Sequence, residues 1–117
     1  MTELHWLTAS EASRAFAAKT LSPVELMTAL LKRIDALDPK LHAFIRLDAD
    51  NAMNAAKAAE TEIQAGRTRG PLHGVPVGVK DIINVAGLPT TCHSKILLDN
   101  IATEDAVVIQ KLRQAGA

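Results

Sequence analysis

The sequence contains no tyrosine, and aromatic residues of all kinds make up only 3% of it. That scarcity weakens any proposal that the chain stacks nucleic-acid bases. Its single cysteine, Cys92, cannot form an internal disulfide. Net charge is missing as well: 13 basic residues stand against 13 acidic ones, so no overall field draws the chain to nucleic acid or an anionic membrane. No window approaches the ~18 uncharged apolar residues that span a bilayer. The opening "MTELHWLTAS" lacks a basic flank followed by an apolar core, so no secretory signal is read and the cytoplasm is the expected compartment. What is present is an ordinary globular composition, 48% hydrophobic and 22% charged over 117 residues, the size of one small domain.

Helical patterns dominate. Residues 8–19, "TASEASRAFAAK", read as a short alanine-rich helix closed by "TLSP". Ser22, Pro23 and Glu25 then form a capping-box pattern, with proline in the first turn where its missing donor costs nothing. Val24, Met27, Leu30, Leu31, Ile34 and Leu37 follow at helical spacing, which predicts a helix over 23–37 that ends at "DPK". A third helix is expected over 49–65, with Ala52, Ala55, Ala56, Ala59 and Ile63 as its stripe and Gly66 as its stop. A fourth is expected over 104–115, capped by Thr103 and ended by Gly116.

Two segments read as strands, "HAFIRL" at 42–47 and "VPVGVK" at 75–80. The second is apolar on both faces, the pattern of a strand inside a sheet covered on both sides. One further strand cannot complete such a sheet. The chain also stops just past a helix, at "RQAGA", where an alternating α/β plan calls for another strand. The expectation is an α/β fold, a mixed sheet covered by helices, of which residues 1–117 are the amino-terminal portion of one larger domain, incomplete in this chain.

The valine run ends in Lys80, followed at once by Asp81. A desolvated ammonium group gives up its proton more readily, which suits a lysine for proton transfer. A lysine in this place can equally snorkel to the surface or pair with Asp81. Position alone leaves both readings open.

The stretch "GPLHGVPVGVKDIINVAGLPTTCHSK", with "LSPVELMTALLKRIDALDPKLHAFIRLD" before it and "DAVVIQKLRQAGA" after it, closely resembles the amino-terminal part of the amidase signature family, in the family's order. The resemblance implies an amidohydrolase acting on linear amides through an acyl-serine intermediate. In that family a neutral lysine draws a proton through a serine held by a cis peptide, and that serine activates the nucleophilic serine. Lys80 stands at the lysine position. A serine hydroxyl is a poor nucleophile without such a base. Both catalytic serines of the family lie in a Gly/Ser-rich loop that nothing in these residues resembles, so this stretch carries the base alone. The same resemblance admits the A subunit of a tRNA-dependent glutamine amidotransferase, which passes ammonia to a partner. A reading from another class is a non-catalytic helical interaction module. The implied partner is a small-molecule amide, with no nucleic acid bound directly, no membrane, and a homodimer of the intact protein left open. No cofactor is implied.

The remaining polar residues read as structural. Ser94 falls at the serine of the family's "TT-x-G-S" turn, with His93 in place of the usual glycine, and a non-glycine residue tolerates positive φ poorly. His73, in "PLHG", reads as a loop residue shaping the approach to Lys80. Cys92, His93, His5 and His42 give no ligand spacing, so no metal is expected. Gly74 and Gly78 are read as sites of close backbone packing. Asp81 is read as structural, and Thr90 and Thr91 as bonding loop backbone groups.

Overall fold

The computed structural model describes residues 3–117. Four α-helices carry the chain: α1 (Ala9–Ala17), α2 (Pro23–Leu41), α3 (Ala49–Gln64) and α4 (Val107–Gln114). Short 3-10 helices at Leu4–Trp6 and Lys95–Leu97 complete the set. α2 packs against α3 and against the Leu4–Trp6 turn. Ala12 and Phe16 of α1, Leu26 of α2 and Val75 form the buried core, with Leu4, Leu21, Leu30 and Ile63 packed around them.

The starts of α1 and α2 have a local cause. Thr8 and Glu11 form a capping box at α1, the Thr8 hydroxyl accepting from the Glu11 amide at 3.2 Å while the Glu11 carboxylate accepts from the Thr8 amide at 2.8 Å. Ser22 and Glu25 do the same at α2, at 3.0 and 2.8 Å. In the full-length protein Ser22→Ala is therefore expected to cost about 1 kcal/mol, read from the midpoint of urea unfolding. An unchanged midpoint would show that α2 is held in place by other means.

α2 does not stop at "DPK" but runs through Pro39 to Leu41. The proline forfeits one backbone bond just before the end, where little helix remains to be lost. The end is then closed by His42, in the left-handed region at φ 49°, and by the Asp38 carboxylate, which accepts from the amides of Ala43 and Phe44 at 2.7 and 3.2 Å. α3 buries Ala56 and Ala59 of its alanine stripe, whereas Ala55 is exposed. α4 begins at Val107, not near 104, and Thr103 does not cap it. Residues 105 and 106 are held instead against the loop before them, the Ala86 amide donating to the Asp105 carboxylate at 2.7 Å and the Ala106 amide to the Asn84 carbonyl at 2.9 Å. The helix can start only after these bonds.

Neither expected strand forms. Among the described residues the sole ladder contact is an antiparallel bridge between Pro89 and Ile101, and residues 42–47 are exposed throughout. Residues 75–80 form no helix, strand or turn, and of their three valines only Val75 is buried, at 8% exposure, while Val77 and Val79 stand 47% and 43% exposed. The pattern of a doubly covered strand is thus present without the cover: no other described segment lies alongside to accept or donate ladder bonds, and a strand is stable only as part of a pair.

Candidate active site around Lys80

Val75 anchors the start of the 75–80 segment in the core with residues of α1 and α2. The close approach there needs Gly74, whose φ is +80°; a Cβ at this position would lie 2.7 Å from Cγ of Pro23. Gly78 differs from its expected role, since open space surrounds it. Beyond Val75 the chain leaves the core, and Lys80 is exposed rather than buried. Nor does Lys80 pair with Asp81: among the described residues it makes no ion pair.

A side-chain cluster fixes the near end of the segment. His73 is 3% exposed. Its Nδ1 accepts from the Arg69 amide at 3.0 Å, so that nitrogen presents its lone pair and the ring proton belongs on Nε2, which lies 3.1 Å from the Glu62 carboxylate. Arg69 grips the same carboxylate with two nitrogens, at 2.9 and 2.7 Å. That hydrogen bond from Arg69 is the main reason the Glu62 carboxyl lies below its ordinary range, and Glu62 in turn raises Arg69. Arg69 also donates to the Arg113 carbonyl at 3.2 Å, and the Gly74 amide donates to the Gly116 carbonyl at 2.8 Å. The end of α3, the "PLHG" loop and the turn after α4 are thereby tied together. His73 thus holds its loop to α3 through Glu62 and Arg69, partners that carry no signal in the sequence that singles them out.

A second cluster fixes the far end. The Asp81 carboxylate accepts from the Thr91 amide at 2.8 Å and from the Thr91 hydroxyl, and the Asp81 carbonyl accepts from the Cys92 amide at 2.9 Å. The two Thr91 bonds, the hydroxyl's first, hold the Asp81 carboxyl below its ordinary range. The turn they grip contains two successive non-glycine residues in the left-handed region, Cys92 at φ 49° and His93 at φ 55°. Thr91 also accepts from the His93 amide at 3.2 Å. The hydroxyl of buried Thr90, expected to bond loop backbone, has no partner among the described residues. Ser94 accepts from the Ile96 amide at 3.3 Å and caps the Lys95–Leu97 turn.

No group of three or more His, Cys, Asp or Glu side chains suited to a metal ion occurs among the described residues. None of the described helices is long and apolar enough to cross a membrane.

A family model described as Amidase matches residues 25–117, and the chain belongs to that family. An acylamidase from Rhodococcus erythropolis is 44% identical over 118 residues, which cover 99% of this chain and 25% of the relative. The A subunit of the glutamyl-tRNA(Gln) amidotransferase of Acidothermus cellulolyticus is 47% identical over 116 residues, covering 99% of this chain and 23% of its own. Among solved structures, the native peptide amidase from Stenotrophomonas maltophilia superposes with a TM-score of 0.88 at 37% identity, over 96% of this chain and 23% of that one. The chain thus spans about a quarter of the length of the relatives it matches.

Proposed function

We propose that residues 1–117 are the amino-terminal portion of a single amidase domain whose mixed sheet takes in residues 75–80, and that the whole protein hydrolyses carboxylic amides with Lys80 as the base. The observation that carries this reading is the place of Lys80: it ends the "VPVGVK" run in the middle of the stretch that resembles the amidase signature, inside the matched residues 25–117. Covered by a sheet, its ammonium group would be desolvated and easier to hold neutral, which is what a base for a relayed serine proton must be. The names of the acylamidase and the peptide amidase support an amide as substrate class. On the same reading the intact protein works in the cytoplasm, takes a small-molecule amide, binds no nucleic acid directly and can form a homodimer.

The Acidothermus relative supports a second reading, since its identity to this chain is as high as that of the acylamidase: a glutamine-hydrolysing component that delivers ammonia to a partner. A non-catalytic helical module has no counterpart among these relatives' names. The test is ammonia release from simple carboxylic amides by the full-length protein, together with labelling by a serine-directed phosphonate. Turnover and labelling without any partner support the amidase. Turnover of glutamine only with added partner proteins supports the second reading. Neither turnover nor labelling under both conditions would overturn the enzymatic reading.

A further inference from the structure

The geometry points to Asp81, acting through Thr91, as the residue that positions Lys80, an inference that rests on the role proposed above for Lys80. Residues 75–80 belong to no helix, strand or turn, and a turn begins at Asp81. The direction in which Lys80 emerges therefore follows from how the residues around it are held. On the amino-terminal side the nearest fixed point is Val75 in the core. Between the two, the amides of residues 77–80 make no backbone bond to any other described residue. On the carboxyl-terminal side the fixing is immediate. Asp81 makes three bonds to two successive residues, through Oδ1 to the Thr91 amide, through Oδ2 to the Thr91 hydroxyl and through its carbonyl to the Cys92 amide, and the Lys80 carbonyl accepts from Ile83 at 3.1 Å.

The clasp has a second effect. A free carboxylate one residue from an ammonium group is a ready ion-pair partner, and pairing would favour the charged form, which is useless as a base. Both Asp81 oxygens are engaged by Thr91, and no ion pair with Lys80 is present among the described residues. The left-handed conformations of Cys92 and His93 fit the same picture. Such backbone persists in non-glycine residues only where surrounding bonds over-determine it, and the Asp81 bonds to Thr91 and Cys92 supply that constraint. Asp81 is thus a positioning residue, and Thr91 is the surface it grips.

The test uses the full-length protein with four substitutions: Asp81→Ala, Asp81→Asn, Thr91→Val and Thr91→Ser. Amide turnover gives kcat and KM. Acetylation of Lys80 by an amine-reactive ester, followed by peptide mass spectrometry, reads its environment independently, with the exposed Lys95 and Lys111 as internal references. Asp81→Ala and Thr91→Val are expected to lower kcat by about tenfold or more, the scale on which misplacement of a reacting group is felt, with KM changed by less than about threefold. Thr91→Ser, which keeps the hydroxyl, is expected to retain about half of kcat or more, and Asp81→Asn, which keeps one acceptor, to fall between. The labelling rate of Lys80 relative to the references should shift in the first two variants and not in Thr91→Ser. Should Asp81→Ala fail to fold, the Thr91→Val and Thr91→Ser pair decides. Near-parental kcat in Thr91→Val, or equal losses in Thr91→Val and Thr91→Ser, overturns the inference. If the parent protein hydrolyses no amide, the proposed function falls and Lys80 labelling judges the clasp alone: an unchanged rate in Asp81→Asn and Thr91→Val overturns it.

Discussion

Amide turnover by the full-length protein is expected to fall by about 10² or more in both Lys80→Arg and Lys80→Ala, the low end of what a positioned base contributes. Arginine keeps the positive charge and much of the reach of lysine, yet its guanidinium effectively never loses its proton. It therefore cannot take a proton relayed from serine. Folding should suffer more from arginine than from alanine, because in the covered sheet arginine forces a permanent charge into the site while alanine leaves none. A lysine that merely solvates the surface, as its exposure in these 117 residues would suggest in isolation, predicts near-normal turnover for Lys80→Arg. Turnover of a simple amide by Lys80→Arg within a few-fold of the parent would sink the assignment of Lys80 as base.

The largest effect on stability is expected at Gly116. Its φ is +86°, and a Cβ built there would lie 2.5 Å from Cδ2 and 2.9 Å from Cγ of His73. The ring cannot simply step aside, because the Arg69 amide and the Glu62 carboxylate hold it on two sides. Gly116→Ala thus combines left-handed strain of about 1 kcal/mol with overpacking of about 1–3 kcal/mol, and a loss of about 3 kcal/mol in the full-length protein is expected from urea unfolding. Gly66→Ala is the control: φ there is +75° but nothing lies within 4 Å, so only the strain of about 1 kcal/mol remains. Equal losses at the two positions would show that the turn after α4 is not seated on His73.

Features decided by neighbours in sequence are legible in it, and features decided by distant partners are not. The Ser22–Glu25 box announces α2 because both its bonds span three residues. The Thr8–Glu11 box has the same span and the same signal, in "TASE". Pro39 misleads because a proline ends helices by default, and nothing local says that Asp38 will take up the amides beyond it. Thr103 misleads because it is a good cap by type, whereas Asp105 and Ala106 are already committed to Ala86 and Asn84 about twenty residues away. The strands expected at 42–47 and 75–80 rest on residue type, but a strand is an agreement between two segments, and no partner is among the described residues. In the site, Lys80 itself can be found by resemblance. The grip of Asp81 on Thr91 spans ten residues and a turn with two non-glycine left-handed residues, and no local pattern encodes it.

The half-exposed valines at 77 and 79 bear on how such a chain survives synthesis. An apolar extended segment with unpaired amides invites stacking on copies of itself, the first step toward aggregation. Here the run is interrupted at every second position. Pro76 offers no donor to an incoming strand, Gly78 weakens β structure and adds no side chain to a zipper, and the charges of Lys80 and Asp81 close the segment. The same lysine that is proposed to take a proton from serine in the finished protein would therefore act earlier as a gatekeeper, keeping a nascent chain soluble until its valines are covered.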